Sequence, residues 1–227
     1  MTVTPDLDAF LDAALAHVPF DGWTETTFAA AAGDLGLSPD AARALAPRGA
    51  IDLAVALHRR GDAEMVARLA EEDLSTLRYS DRVVTALRYR IDAMPDREAV
   101  RRATTLFSLP AQTATGANLI WGTADAVWTA LGDTSRDGNW YSKRAILSAV
   151  WGSTVLFWLG DESVDHANTN AFIERRISDV MRIETVKGQL RANPLTKPLM
   201  ELKDTLLGRI PAPGTRTSDD LPGRWTL

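Results

Sequence analysis

The chain has 227 residues, enough for one or two domains with a sizeable core. Its net charge of −5 disfavours a general nucleic-acid binder, and the absence of cysteine removes disulfides, thiolate nucleophiles and cysteine-held metals. The first residues, Met1 to Asp6, have neither the cationic start nor the apolar stretch of a secretory signal and are too acidic for a transit peptide, so a reducing cytosol is expected.

Leu7 to Val18 places Leu7, Phe10, Leu11, Ala14, Leu15 and Val18 at three- and four-residue steps, which predicts an amphipathic helix ended by Pro19-Phe20-Asp21-Gly22. Thr24 is a natural cap for a second helix over Glu25 to Leu35. Gly36-Leu37 makes a turn, and Ser38 caps a short third helix over Pro39 to Leu45. Helix, glycine turn, helix is a helix-turn-helix order, and it resembles the amino-terminal domain of TetR-type repressors. Residues 1–50 hold seven acids, from Asp6 to Asp40, against Arg43 and Arg48. Such a head repels a phosphate backbone, so no nucleic-acid partner is expected.

Gly49 to Ala70 predicts a long helix with Gly61 as a candidate interruption. Glu71 to Met94 predicts another, with Leu74, Leu77, Val84, Leu87 and Ile91 on one face. Arg78, Arg82, Arg88 and Arg90 fall mostly elsewhere, as a solvated face or as ion-pair partners. Met94-Pro95-Asp96 breaks the chain before a helix over Asp96 to Ser108. After Leu109-Pro110, a flexible stretch over Ala111 to Gly116 leads to a helix over Ala117 to Leu131, stopped by Gly132.

The loop Asp133 to Gly138 delivers Asn139-Trp140-Tyr141 to a central helix with Leu147, Trp151, Thr154 and Trp158 on one face and Ile146, Val150 and Phe157 on another. Such a helix is surrounded by protein or lines a cavity. Trp121, Trp128, Trp151 and Trp158 fit either a filled core or an aromatic wall for a lipid-like ligand. Trp140 and Tyr141, among Asp137, Lys143 and Arg144, suit a protein-interface anchor or a hydrophobic staple onto the body. The apolar run Ala145 to Gly160 would rise about 24 Å as a helix against about 30 Å of hydrocarbon, so no membrane span is expected.

A helix from Val164 to about Gly188 carries Phe172, Ile173, Ile177, Val180 and Met181, placed to pair with the central helix or with a second copy. From Lys187 to Ile210 the charge turns to +3. There Pro194 and Pro198 isolate an amphipathic helix with Leu199, Leu202, Leu206 and Leu207 beside Lys203. It suits an anionic membrane surface or docking onto its own body. Pro211 to Leu227 reads as a mobile tail. No phosphate loop, dinucleotide turn or nucleophile elbow occurs. His17, His58 and His166 lie far apart without a Glu-x-x-His pair. No catalytic set, metal ligand or cofactor is expected, and the chain does not read as an enzyme.

Several motifs act together: Gly132-Asp133-Thr134-Ser135, Asp137-x-Asn139-Trp140-Tyr141-x-Lys143-Arg144, Thr154 to Trp158, Asp161-x-Ser163, Phe172-Ile173-Glu174-Arg175-Arg176-Ile177 and Val180-Met181. They resemble the ubiquinone-biosynthesis lipid-binding accessory family, the ninth member of the COQ series, over most of residues 20–185, with Gly138 and Asn170 departing from its pattern.

The resemblance implies an all-α, TetR-like homodimer. Residues 1–48 would form a degenerate helix-turn-helix-like head and 49–186 a lipid-binding and dimerisation body, with 187–210 the basic helix and 211–227 the tail. It also implies a non-catalytic protein that holds an isoprenoid quinone intermediate, or a phospholipid, against Leu119, Trp121, Trp128, Leu147, Trp151, Val155 and Trp158. Asp137, Asn139, Trp140, Tyr141 and Arg144 match that family's docking patch for the di-iron demethoxyubiquinone hydroxylase. With Leu199, Leu202, Lys203, Leu206 and Leu207 as membrane contacts, the expected place is cytoplasmic and peripheral, at the inner face of a bacterial plasma membrane. A lipid-sensing TetR-type transcription regulator is the alternative use of the same body.

Overall fold

The structure is a computed structural model that describes residues 6–136 and 138–192, the side chains of 183–192 excepted. The described residues form helices α1 (Leu7–Asp21), α2 (Glu25–Asp34), α3 (Pro39–Leu45), α4 (Ala50–Glu71), α5 (Tyr79–Asp92), α6 (Arg97–Ser108), α7 (Thr113–Ala130), α8 (Gly138–Trp158) and α9 (Ala167–Ala192), with no strand among them. A single 3-10 turn, Val164–His166, precedes α9.

Local chemistry sets most helix ends. Thr24 Oγ1 accepts the Thr27 N–H at 3.4 Å and Ser38 Oγ accepts the Ala41 N–H at 3.2 Å, so both predicted caps are in place. Asp161 is buried ahead of α9. Its carboxylate accepts the backbone N–H groups of Ser163 (2.9 Å) and Thr169 (2.8 Å) and both of their hydroxyls at 2.6 Å. Burial works against ionisation there, but these four donors outweigh it and hold the carboxyl far below the usual range.

Four boundaries differ from expectation. α1 continues through Pro19 to Asp21 although Pro19 has no N–H to give Leu15 O, and Gly22 N–H closes the helix onto Val18 O at 2.9 Å. The helix expected over Glu71 to Met94 forms only from Tyr79. Asp73 Oδ1 takes the Ser75 N–H at 2.9 Å in a local turn, and Arg82 clamps Ser75 O and Leu77 O at 3.2 and 3.1 Å. α7 starts at Thr113, inside the stretch expected to be flexible, where Gly116 lets α7 press against Phe107 of α6. α4 passes through Gly61 without a break.

Two apolar clusters fill the molecule. In the head, α1, α2 and α3 pack Phe10, Leu11, Val18, Trp23 and Phe28 against Leu53 and Leu57 of α4 and Ala99 of α6, with Trp23 Nε1 donating to Ala99 O at 3.1 Å. In the body, Met65 and Leu69 of α4 join Leu87 of α5, Val127 and Trp128 of α7, Leu147, Trp151 and Trp158 of α8, and Ile173 of α9. α4 thus belongs to both, and packing does not break at residue 48. The basic helix expected over 187–210, with Leu199, Leu202, Lys203, Leu206 and Leu207, lies outside the described residues from 193 onward. No helix of the described residues is long and apolar enough to cross a membrane.

Candidate functional site

Where α4, the α5–α6 connection, α6, α7 and α8 converge, they leave a cavity of about 480 Å³. Its wall is built largely from small or slender apolar groups, among them Ala54, Ala103, Gly116 and Gly152. A side chain grown from Gly152 would meet only Ile120 Cδ1, at 3.8 Å. Exposed Ser108, Thr113, Ala117 and Leu156 are also on the lining and mark the mouth.

The inner end is polar. Arg90 of α5, 3% exposed, donates from Nε to Asp62 Oδ1 at 2.6 Å and from Nη2 to His58 O at 2.9 Å, and lies 5.1 Å from the Trp151 ring centroid. Gly61 makes room for it, since a Cβ there would overlap the guanidinium. Thr123 of α7 donates its hydroxyl to the same Asp62 oxygen at 2.8 Å. His58 Nε2 lies 2.8 Å from Thr123 Oγ1 and 3.1 Å from Leu119 O. Burial, then the Arg90 charge, lower the His58 pKa to about 4, so the ring is neutral at ordinary pH. Sequence reading missed this cluster. Its one local signal was the four-residue spacing of His58 and Asp62 on α4, because Arg90 and Thr123 arrive from other helices. Arg90, expected on a solvated face or in an ion pair, is paired but enclosed.

Of the residues expected to hold lipid, Leu119, Trp151 and Val155 line the cavity, whereas Trp121, Trp128, Leu147 and Trp158 do not. Trp128 stacks on Tyr79 at 5.8 Å, Leu147 sits in the body core, and Trp158 packs edge-on to His166 at 5.8 Å. α8 is enclosed on several faces, and only the one bearing Trp151, Gly152, Val155 and Leu156 meets the void.

Trp121 belongs instead to an aromatic patch at the start of α8. Its ring lies 5.9 Å from Trp140 and 6.5 Å from Tyr141, and those two meet edge to face at 4.8 Å. All three are half-buried and Asn139 is exposed, while Asp137 lies outside the described residues. Arg144, expected as a contact residue, is only 2% exposed. It donates to Asp125 Oδ1 at 2.5 Å, Asp133 Oδ2 at 3.1 Å and Trp140 O at 3.3 Å, and its guanidinium sits 3.9 Å from the Trp140 centroid. It therefore props the patch from beneath. Lys143 Nζ and Ser135 Oγ also donate to Asp133 Oδ1, at 2.6 and 2.8 Å. Burial would raise the Asp133 pKa, but donors from Lys143, Ser135 and Arg144 prevail and hold it at about 2. Among the described residues no cluster of three or more His, Asp or Glu is placed to hold a metal ion.

The family model named COQ9 matches residues 113–184, which is α7, α8 and most of α9 together with the patch. The "Ubiquinone biosynthesis protein COQ9, mitochondrial" of Bos taurus is 33% identical over 193 residues, covering 80% of this chain and 59% of that protein. The chain is similar to COQ9 proteins. The "Probable ubiquinone biosynthesis protein coq9, mitochondrial" of Dictyostelium discoideum is 29% identical over 184 residues, covering 78% and 59%. The chain thus spans about three fifths of the length of the curated COQ9 relatives it matches. A solved TetR transcriptional regulator from Nitrosomonas europaea ATCC 19718 shares the fold at a TM-score of 0.63 and 21% identity, covering 76% of this chain and 95% of that one. The all-α, TetR-like fold is therefore common to this chain and a regulator. The family-model match, unlike the longer match to the relatives, begins after α4 and α6, which supply much of the cavity wall.

Proposed function

We propose that this chain is a non-catalytic accessory protein of ubiquinone biosynthesis that holds an isoprenoid quinone intermediate, or another lipid, and presents it at a membrane to the demethoxyubiquinone hydroxylase. The observation that carries this reading is an open-mouthed apolar cavity lined on α7 by Leu119 and Ile120, with Trp121 of the aromatic patch the next residue of the same helix. An isoprenoid tail would gain about 25 cal/mol per Å² of surface withdrawn from water. The patch around Trp140 and Tyr141 offers the large, rigid aromatic anchors that partner surfaces favour. Exposed Leu156 and Val164, with the Phe157–Phe172 stack at 4.5 Å, suit pairing with a second copy through α8 and α9. The relatives' names supply the pathway.

The alternative, a lipid-sensing transcription regulator, needs cations free for phosphate. The head's Arg43 is paired with Glu25, and Arg48 with Asp52 at 2.6 Å. The test is native mass spectrometry of the purified protein beside Gly152→Leu. Lipid in the wild type and none in the variant supports the cavity; an empty wild type, or equal lipid in both, rejects it. Tight sequence-specific binding of DNA at low salt would favour the regulator.

A further inference from the structure

His58 has only one nitrogen to offer a ligand, and its surroundings fix which one. Leu119 O, 3.1 Å from Nε2, can only accept, so Nε2 carries the ring proton. Thr123 Oγ1 gives its own proton to Asp62 and is itself open to the same N–H at 2.8 Å. The low pKa rules out a second ring proton at neutral pH, so Nδ1 keeps its lone pair. No hydrogen bond reaches Nδ1 among the described residues, although the side chain, 19% exposed, lines the cavity.

The charges at the polar end are balanced. Asp62 and Arg90 cancel one another and Thr123 is spent on Asp62, while of the groups lining the void nearby Leu57 and Ile120 are apolar and Trp151 Nε1 is a buried neutral donor without a partner. An anionic head would bring a charge into this end without a free counter-charge, at a desolvation cost that nothing offsets. A neutral donor would find an acceptor already oriented.

We propose that His58 Nδ1 accepts a hydrogen bond from the ligand's head. The cavity then takes a neutral amphiphile bearing a ring hydroxyl, a phenol or quinol, in preference to the same molecule capped as an ether or carrying an anion. This deepens the lipid-binding reading above and depends on it.

Three probes with one tail test it: 2-farnesylphenol, 2-farnesylanisole and 2-farnesylbenzoate, titrated calorimetrically into the whole chain. The wild type should bind the phenol about tenfold more tightly than the anisole, the value of one hydrogen bond made in a dry site, and the benzoate weakest. His58→Phe should bring the phenol down to the anisole's affinity. Equal binding of phenol and anisole by the wild type, or tightest binding of the benzoate, overturns the assignment while leaving the cavity intact. Failure of all three to bind would instead sink the lipid-binding reading itself. Should His58→Phe not fold, ¹⁵N NMR of the wild-type imidazole decides: the Nδ1 resonance should shift on adding the phenol and not the anisole, and an unmoved resonance rejects the contact.

Discussion

Arg90 occupies the space that any side chain at residue 61 would need, and Gly61 is the reason a full guanidinium can be enclosed between α4 and α5. The two positions therefore have to be considered together. Gly61→Ala would gain up to about 1 kcal/mol in helix propensity, yet it must displace a cation 3% exposed from its Asp62 partner. The displacement should dominate, for a net loss of about 2 kcal/mol in urea unfolding. A variant as stable as the wild type would mean that Arg90 relocates without cost.

Acid should destabilise the protein in two separate windows. His58 titrates near 4 when folded and near 6.5 otherwise, so between those values the unfolded chain binds a proton that the native one refuses. Stability falls as pH drops from about 6.5 to 4, by about 3 kcal/mol at most. Asp133 works at lower pH. Held at about 2 against an ordinary 3.8, it contributes stability above 3.8 that disappears as pH falls towards 2. Thermal unfolding at pH 7, 5 and 3 should show a smaller loss from pH 7 to 5 in His58→Gln. The same loss in both proteins would remove His58 from the account.

Arg144 tests whether the patch is propped or merely charged. Arg144→Met leaves Asp133 and Asp125 without their shared cation and should cost about 3 kcal/mol of stability. Unchanged stability with weakened binding of the hydroxylase would restore Arg144 as a direct contact.

Trp140→Lys addresses the surface itself. Losing a central aromatic anchor typically costs about 2 kcal/mol of association, roughly thirtyfold in affinity. The expected result is weaker binding of the hydroxylase in a pull-down titration, with helical circular dichroism and lipid content kept. Undiminished association would reject the patch as the docking surface.

The helical order and the caps at Thr24 and Ser38 could be read directly, because a cap is a local competition between a hydroxyl and four consecutive N–H groups. The cavity could not be read that way. Trp121, Trp128 and Trp158 are conspicuous in the sequence because they are large, whereas a void is produced by small groups. Ala54, Ala103 and Gly152 make it by leaving space unfilled, and nothing in their own neighbourhoods announces that. The His58, Asp62, Arg90 and Thr123 cluster was hidden for a different reason, as its members come from three helices up to 65 residues apart. Trp140 and Tyr141 were legible as an aromatic pair, but only the fold could add Trp121 to them and place Arg144 below.

One consequence concerns truncation. α4 acts as a keel: its first half completes the head's interior through Leu53 and Leu57, its second half anchors the body through Met65 and Leu69, and His58 stands between them. Cutting the chain at residue 49 would strip the cover from Leu53 and Leu57 and lay bare the back of the same helix that floors the void. The three leading helices are the outer wall of the chamber's foundation, and a minimal fragment that keeps the cavity has to include them.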